Sequence, residues 1–411
     1  MILLKSCVIL LILISTGSLA DTLYVDGRQF KGIQEAIDHS HNGDIIRVAN
    51  GIYREGNIKI TKSIYLTGDG WPVIDGGLKH EAITVQASGV TIEGFIIQNV
   101  GKSYTDDWAA IRIEEKDHCI IRNNKIVNSF FGIYLQNADD ILVENNEITG
   151  EAKNEVNSGN GIHLWDCNRI KIKNNIVINH RDGIYLEFVE HSQVIGNVSR
   201  GNIRYGLHFM FSNNDDYLEN TFDNNGTGVA VMFSEYIKMN DNLFINNWGS
   251  ASYGLLLKEI KTSELKKNTF KNNTIGIYSD GTLRANIESN DFIGNGWAMN
   301  ILGSSSDNII QKNNFISNTF DLATNKGTHN NTYSKNYWDE YTGYDLDRDG
   351  YGDVPYRPVK LFNYITGRVG ESMILLRSFF VEVLNYAEKV TPIFTPVDLM
   401  DESPRMKKYV R

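Results

Sequence analysis

Three side chains in the middle of this 411-residue chain have the types and spacing of a soft-metal site: His208, Met210 and Met232. His208 and Met210 stand two residues apart, so on an extended strand they leave the same face, roughly 7 Å apart. Met232 follows about one sequence repeat later, which places it roughly 5 Å from Met210 once the repeats stack. An imidazole and two thioethers form a ligand set that suits Cu(I). Glu187 and Trp165 fall one and two repeats earlier in the same column, so both lie near the trio. The bland readings are a solvated surface histidine and two methionines packed beneath a loop, the C-terminal extension or a partner.

A second cluster is acidic. Asp345, Asp347 and Asp349 alternate and are followed by Gly350, with Asp353 further on. Alternating carboxylates with a glycine for the turn resemble the first half of a calcium loop. The twelfth position of an EF-hand is glutamate and here is Tyr356, so an EF-hand is excluded. Calcium is one reading of this loop and an acidic turn the other.

The element that positions these residues is a repeat. A glycine returns about every 22 residues and opens a short apolar strand, as in Gly132-Ile-Tyr-Leu, Gly161-Ile-His-Leu, Gly183-Ile-Tyr-Leu, Gly206-Leu-His-Phe, Gly228-Val-Ala-Val, Gly254-Leu-Leu-Leu and Gly276-Ile-Tyr-Ser. Such a coil is too short for a four-stranded blade and suits two or three short strands joined by turns. Asparagine pairs recur at Asn123-Asn124, Asn145-Asn146, Asn174-Asn175, Asn246-Asn247, Asn272-Asn273 and Asn313-Asn314. Asparagine tolerates the left-handed backbone of a tight corner, and stacked corners form asparagine ladders. The fold class is therefore all-β, a right-handed parallel β-helix of the pectin-lyase-like type with roughly eleven coils between Thr84 and Asn331. The residues one and three after each glycine point inward, as Ile184 and Leu186 do. Those two and four after it point outward, which puts Tyr185, His208 and Ala230 in one row and Trp165, Glu187, Met210 and Met232 in the next.

The flanks divide the chain. Residues 1–20 read as a signal peptide, with Lys5, an apolar run from Val8 to Ile14 and a small-residue cleavage site at Ser18-Leu-Ala20. No cysteine stands at the cleavage site to carry a lipid, and the mature protein is expected outside the cytoplasm from Asp21. Residues 21–80 form an N-terminal cap with the first coils; Phe30, Ile33, Ala36 and Ile37 have helical spacing and would cover the open end. Residues 81–335 are the β-helix, and 336–411 a mixed C-terminal extension with the acidic loop, a helical stretch and a proline-marked apolar tail. The apolar tail, with Phe394 and Leu399, reads as a partner-docking element; the competing reading folds the tail back onto the last coil. Cys119 falls where other coils place Ile141 and Ile170, so it reads as a buried core thiol. The formal charge is −10 and no basic stripe stands out, which argues against nucleic-acid binding.

The segments Tyr205-Gly-Leu-His-Phe-Met210, Gly228-Val-Ala-Val-Met232, Tyr253-Gly-Leu-Leu-Leu-Lys258 and Arg181-Asp-Gly-Ile-Tyr-Leu-Glu-Phe188 make the chain resemble the NosD family. So do Tyr344 to Pro358 and Thr395-Pro-Val-Asp-Leu399. The resemblance covers nearly the whole chain after the signal. It implies a non-enzymatic periplasmic component of an ABC-type complex with a membrane permease and a cytoplasmic ATPase. Such a complex works with a copper-carrying lipoprotein to supply copper to nitrous oxide reductase during its maturation, in denitrification. It also implies that the C-terminal extension docks on the permease, which fits the amphipathic segment with Phe379, Phe380, Val383 and Leu384. The main alternative is a carbohydrate-active β-helix enzyme, a polysaccharide lyase, hydrolase or epimerase. Glycosidic chemistry needs paired carboxylates, and the outward rows offer only isolated Glu114 and Glu187 with Arg112 and Lys258. A surface adhesin is a third reading and leaves the His/Met cluster unexplained.

Overall fold

A computed structural model describes residues 20–103, 106–324, 330–359, 378–390 and 399–410. Residues 1–19, and with them nearly all of the expected signal peptide, lie outside the described residues. Short strands assemble into three sheets of 14, 12 and 13 strands that run side by side along one axis. Within these three sheets every strand pairing among the described residues is parallel, and successive strands of one sheet come from successive coils. The chain is thus a parallel β-helix of about thirteen coils. Stacking begins earlier than the glycine repeat indicates: Thr22–Val25 already pairs with Ile45–Val48. The helix Ile33–His39 lies in this first coil and buries Ile33, Ala36 and Ile37, as their spacing predicts.

Two stacked systems hold the coils. Inside, Phe222, Phe244, Phe270, Phe292, Phe315 and Trp338 form one aromatic column with ring centroids 4.1 to 5.4 Å apart. The inward residues predicted from the repeat, such as Ile184, Leu186, Leu207 and Phe209, are fully buried. At one corner Asn124, Asn146, Asn175, Asn197, Asn220, Asn242, Asn268, Asn290, Asn313 and Asn336 form a ladder. Each backbone N–H and each Nδ2 donates to the Oδ1 of the next rung. A second ladder at another corner runs through Asn202, Asn225, Asn247, Asn273, Asn295 and Asn318. The asparagine pairs therefore serve two corners. The first member of most pairs holds the left-handed turn, as Asn145 does at φ 54° and Asn246 at φ 57°, and the second is the rung. Asn313-Asn314 is displaced by one residue: Lys312 takes the turn, Asn313 is the rung and Asn314 enters the next strand.

The repeating glycine has a steric cause. A Cβ on Gly206 would stand 2.6 Å from the carbonyl oxygen of Gly228, and one on Gly228 would stand 2.4 Å from that of Gly254. Glycine lets these central coils approach this closely at the start of the strand, while Ala110 and Ala298 take the same position in flanking coils.

The C-terminal segment returns to the solenoid. Asp401 bridges Tyr333 and Tyr356, and Arg405 bridges Tyr337 and Tyr351. Leu399 is 1% exposed and belongs to the main core. Its expected docking role gives way to the competing reading: this apolar side chain closes the end of the stack. Phe394 lies outside the described residues. The helix Phe379–Val390 exposes Phe379, Phe380 and Val383, while Leu384 is half-buried.

Candidate functional site

The strands Asp182–Glu190, Tyr205–Met210 and Thr227–Met232 lie side by side in the 12-stranded sheet. Their register pairs Tyr185 with His208 and Glu187 with Met210. It then pairs His208 with Ala230 and Met210 with Met232. Trp165 pairs with Glu187 one coil earlier. The structure thus brings His208, Met210 and Met232 onto one outward face, with Glu187 and Trp165 continuing the methionine row. Met210 and Met232 are half-buried.

The histidine row departs from expectation. Outward positions are expected to meet water, yet Tyr134, Tyr185 and His208 are only 5 to 9% exposed. They bury one another. Tyr134, His163 and Tyr185 stack at 4.7 Å intervals, and Tyr185 meets the edge of His208 at 5.0 Å. Tyr205, from the start of the same strand, closes on His208 at 4.7 Å. Tyr205 itself is held from the other side by Arg204, whose guanidinium lies 4.9 Å over the ring. Arg204 makes a bidentate pair with the fully buried Asp182, with Nε 2.8 Å from Oδ1.

Both ring nitrogens of His208 are buried and have no hydrogen-bond partner. Burial pushes its pKa down to about 4, so the imidazole is neutral at pH 7 and its lone pair is available. A neutral histidine with unused nitrogens in the row next to two thioethers has the chemical character of a soft-cation ligand set. The carboxylate of Glu187 is engaged by the Tyr185 hydroxyl, which donates to Oε2 at 3.0 Å.

Sequence reasoning passed over one neighbour of this row. Phe188, Phe211 and Phe233 each follow directly on Glu187, Met210 and Met232, and all three occupy a left-handed corner with φ of 50 to 54°. Their rings stack at 5.3 and 5.2 Å and remain 40 to 45% exposed. The signal was present: three consecutive repeats carry phenylalanine at the fifth position after the glycine, where flanking repeats carry Asn137, Asp166 and Glu259.

In the C-terminal region the carboxylates of Asp345, Asp347 and Asp349 converge, with ligand oxygens within 4.8 Å of one another. Asp353 is not part of that cluster; its Oδ2 accepts from the Leu346 amide at 2.6 Å and ties the loop closed. Cys119 and Cys167 are buried free thiols, as their core positions predict for Cys119. Among the described residues no helix is long and apolar enough to cross a membrane.

Fold and outward rows together define a parallel β-helix protein of pectin-lyase-like architecture that carries a buried histidine beside a row of methionines. The chain matches the fold of the catalytic unit of a thermostable GH87 α-1,3-glucanase from Streptomyces thermodiastaticus at a TM-score of 0.53 and 11% identity, over 76% of this chain and 66% of that one. That likeness concerns the fold alone. The chain is similar to the NosD family. The family model, described as periplasmic copper-binding protein (NosD), matches residues 147–343, a stretch that encloses Trp165, Glu187, His208, Met210 and Met232. Two relatives are each described as "Probable ABC transporter binding protein NosD". The one from Pseudomonas aeruginosa is 28% identical over 371 residues, 86% of each chain. The one from Stutzerimonas stutzeri is 26% identical over 381 residues, 88% of this chain and 86% of that one.

Proposed function

We propose that this protein is the periplasmic binding component of an ABC-type complex and that it receives and passes on Cu(I) through His208, Met210 and Met232. The observation that carries the reading is the state of His208. A buried imidazole with neither nitrogen paired is costly, and here it stands two residues from Met210, whose register partner is Met232. Copper is cargo in this reading, held by soft ligands that release it to another soft site. Glu187 and Trp165 border the row and shape its access. The family resemblance adds the destination: nitrous oxide reductase under maturation, with copper supplied by a copper-carrying lipoprotein. It also adds the machine, a permease and an ATPase, against which the exposed face of the helix Phe379–Val390 would dock. No chemical step is assigned to the chain itself.

Asp345, Asp347 and Asp349 we read as a structural calcium site that braces the C-terminal extension, since three convergent carboxylates suit a hard cation.

Anaerobic titration of residues 21–411 with Cu(I) against a competing chelator tests the copper reading. Stoichiometric binding that is lost on replacing His208, Met210 and Met232 by alanine is the expected result. Absence of binding in both proteins would overturn it for the isolated chain.

A further inference from the structure

One corner ladder starts late, and the residues in place of its first rungs line a cavity. Val127, Thr149, Ile178 and Arg200 are register partners in successive coils. Two residues beyond each of them stand Ser129, Glu151, His180 and Asn202. Asn202 opens the second asparagine ladder, and the backbone N–H of His180 already donates to its Oδ1 at 2.9 Å. The three earlier positions thus belong to the same column but carry a hydroxyl, a carboxylate and an imidazole. The coils around them are enlarged. Gly161 follows Gly132 after 29 residues instead of about 22, the excess lying in residues 150–160. Lys102 comes from an irregular segment between the strands Ile96–Gln98 and Ala109–Glu114. Insertions in a solenoid gather on the face it uses for binding. Here they border a cavity of about 20 Å³ whose lining includes Lys102, Ser129, Phe130, Glu151 and His180, with room for one water-sized group.

Two polar atoms of this lining are unanswered. His180 is 2% exposed, and its Nε2 has no hydrogen-bond partner among the described residues. The Oγ of Ser129 is buried and equally unpaired. Such atoms are rare in folded proteins and costly unless something meets them. The imidazole ring is wedged between two glycine backbones: a Cβ on Gly150 would stand 2.8 Å from its Cε1, and one on Gly161 would stand 3.2 Å from its Cδ2. Ser129 and His180 do not bond each other, since both lack a partner, so they are not a nucleophile with its base. One imidazole and one hydroxyl are too few for a metal centre. At pH 7 the imidazole is neutral, because burial pushes its pKa down to about 4. Lys102 and Glu151 bring opposite charges, so the lining favours neither an anion nor a cation. A neutral imidazole and a serine hydroxyl can each answer a group that both donates and accepts, which is the property of a hydroxyl. The half-buried ring of Phe130 adds an apolar wall.

We infer that this cavity binds a neutral polyhydroxylated ligand, a saccharide, with hydroxyl groups meeting Ser129 and His180 and ring carbons against Phe130. The site is separate from the methionine row. Ser129 and His180 stand just before the strands Phe131–Gln136 and Asp182–Glu190, whereas Met210 and Met232 are the last residues of theirs.

The test titrates residues 21–411 with D-glucose, D-galactose, D-mannose and N-acetyl-D-glucosamine, each as the free sugar and as its β-1,4-linked tetrasaccharide. Calorimetry reads the affinity. The imidazole ¹⁵N signals of histidine-labelled protein read the place, with His180 assigned by the signal missing from His180→Asn. The expected result is saturable binding of at least one sugar that moves the His180 signal. Tighter binding of the monosaccharide would mark a free solute as the ligand, and tighter binding of the tetrasaccharide a polymer. Ser129→Ala and His180→Asn should each weaken binding at least about tenfold. His180→Asn should keep or raise the melting temperature, because asparagine there extends the ladder as Asn202 does through its Nδ2 bond to Asn225 Oδ1 at 2.9 Å. No sugar moving the His180 signal would show a cavity that holds water only and would overturn the inference. Affinities unchanged in both variants would overturn it equally.

Discussion

Asp401 is the last rung of the asparagine ladder. Asn336 donates its backbone N–H at 2.9 Å and its Nδ2 at 3.1 Å to Asp401 Oδ2. Asn313 makes the same two bonds to Asn336. A carboxylate accepts but does not donate, so it ends a chain of donors that asparagine would continue. Asp401 also accepts from Lys335 N–H, Trp338 Nε1 and Ser403 N–H. Asp401→Ala orphans these buried donors and should cost about 3 kcal/mol or more. Asp401→Asn keeps an acceptor and should cost clearly less. Urea unfolding of both variants checks the difference, and equal losses would show that the carboxylate caps nothing.

Within the ladder, Asn220→Ala removes an Oδ1 that accepts from Asn197 N–H and Nδ2, and an Nδ2 that donates to Val194 O and Asn242 Oδ1. The residue is fully buried. A loss of about 3 kcal/mol or more is expected, against under about 0.5 kcal/mol for an exposed control such as Asn154→Ala. Thermal unfolding of the two separates a ladder that stabilises from one that is merely repeated.

Single substitutions should test the proposed copper row. Met210→Leu and Met232→Leu preserve volume but remove the thioether, and His208→Phe preserves the aromatic stack but removes both nitrogens. Each should weaken Cu(I) by at least about tenfold, or about 1.4 kcal/mol, with melting temperatures near the parent's. Chelator competition reads the affinity; three unchanged affinities would move copper elsewhere.

Burial holds the Asp215 carboxyl up at about 8, even though Ser192 N–H and the Tyr217 hydroxyl donate to it. The folded protein therefore keeps a proton that the unfolded chain releases near pH 4. Folding takes up a proton between those values, and this residue lowers stability progressively as pH rises from about 4 to about 8. Asp215→Asn removes the effect. Its melting-temperature gain over the parent should grow from about pH 5 to about pH 7.5, and a gain that does not vary with pH would show that Asp215 does not titrate in that window.

If Asp345, Asp347 and Asp349 bind calcium, millimolar Ca²⁺ should raise the melting temperature and EDTA should reverse it, as expected for a ligand that binds only the folded state. Asp347→Asn/Asp349→Asn should abolish the response. A Ca²⁺ response that survives in this variant would place the ion at another site.

The sequence made the fold legible because the coil repeats. Gly206 and Gly228 announce a spacing that only close-packed coils require, and the spacing alone placed Met210 against Met232. It did not reveal that His208 is buried. That follows from Tyr185 and Tyr205 closing over it, and inward–outward alternation carries no information about what covers an outward face. Phe188, Phe211 and Phe233 were passed over for a related reason: they sit at a turn, where attention to strand faces stops. The end of the chain was ambiguous because apolar residues such as Leu399 serve a cap and an interface equally well in sequence, and only its burial decides.

The stacked register also makes the molecule a ruler. Beyond the strand of Met232 the same sheet continues through Tyr253–Lys258, Ile275–Asp280, Trp297–Ile301 and Phe320–Thr324, roughly 19 Å of stack before the end that Asp401 closes. Each rung matches a rung, so length changes only by whole coils of about 4.8 Å. A variant lacking one of these coils would keep the Met210–Met232 row and its terminal closure intact while altering the distance between them, as a gear keeps its teeth when one is removed from the train.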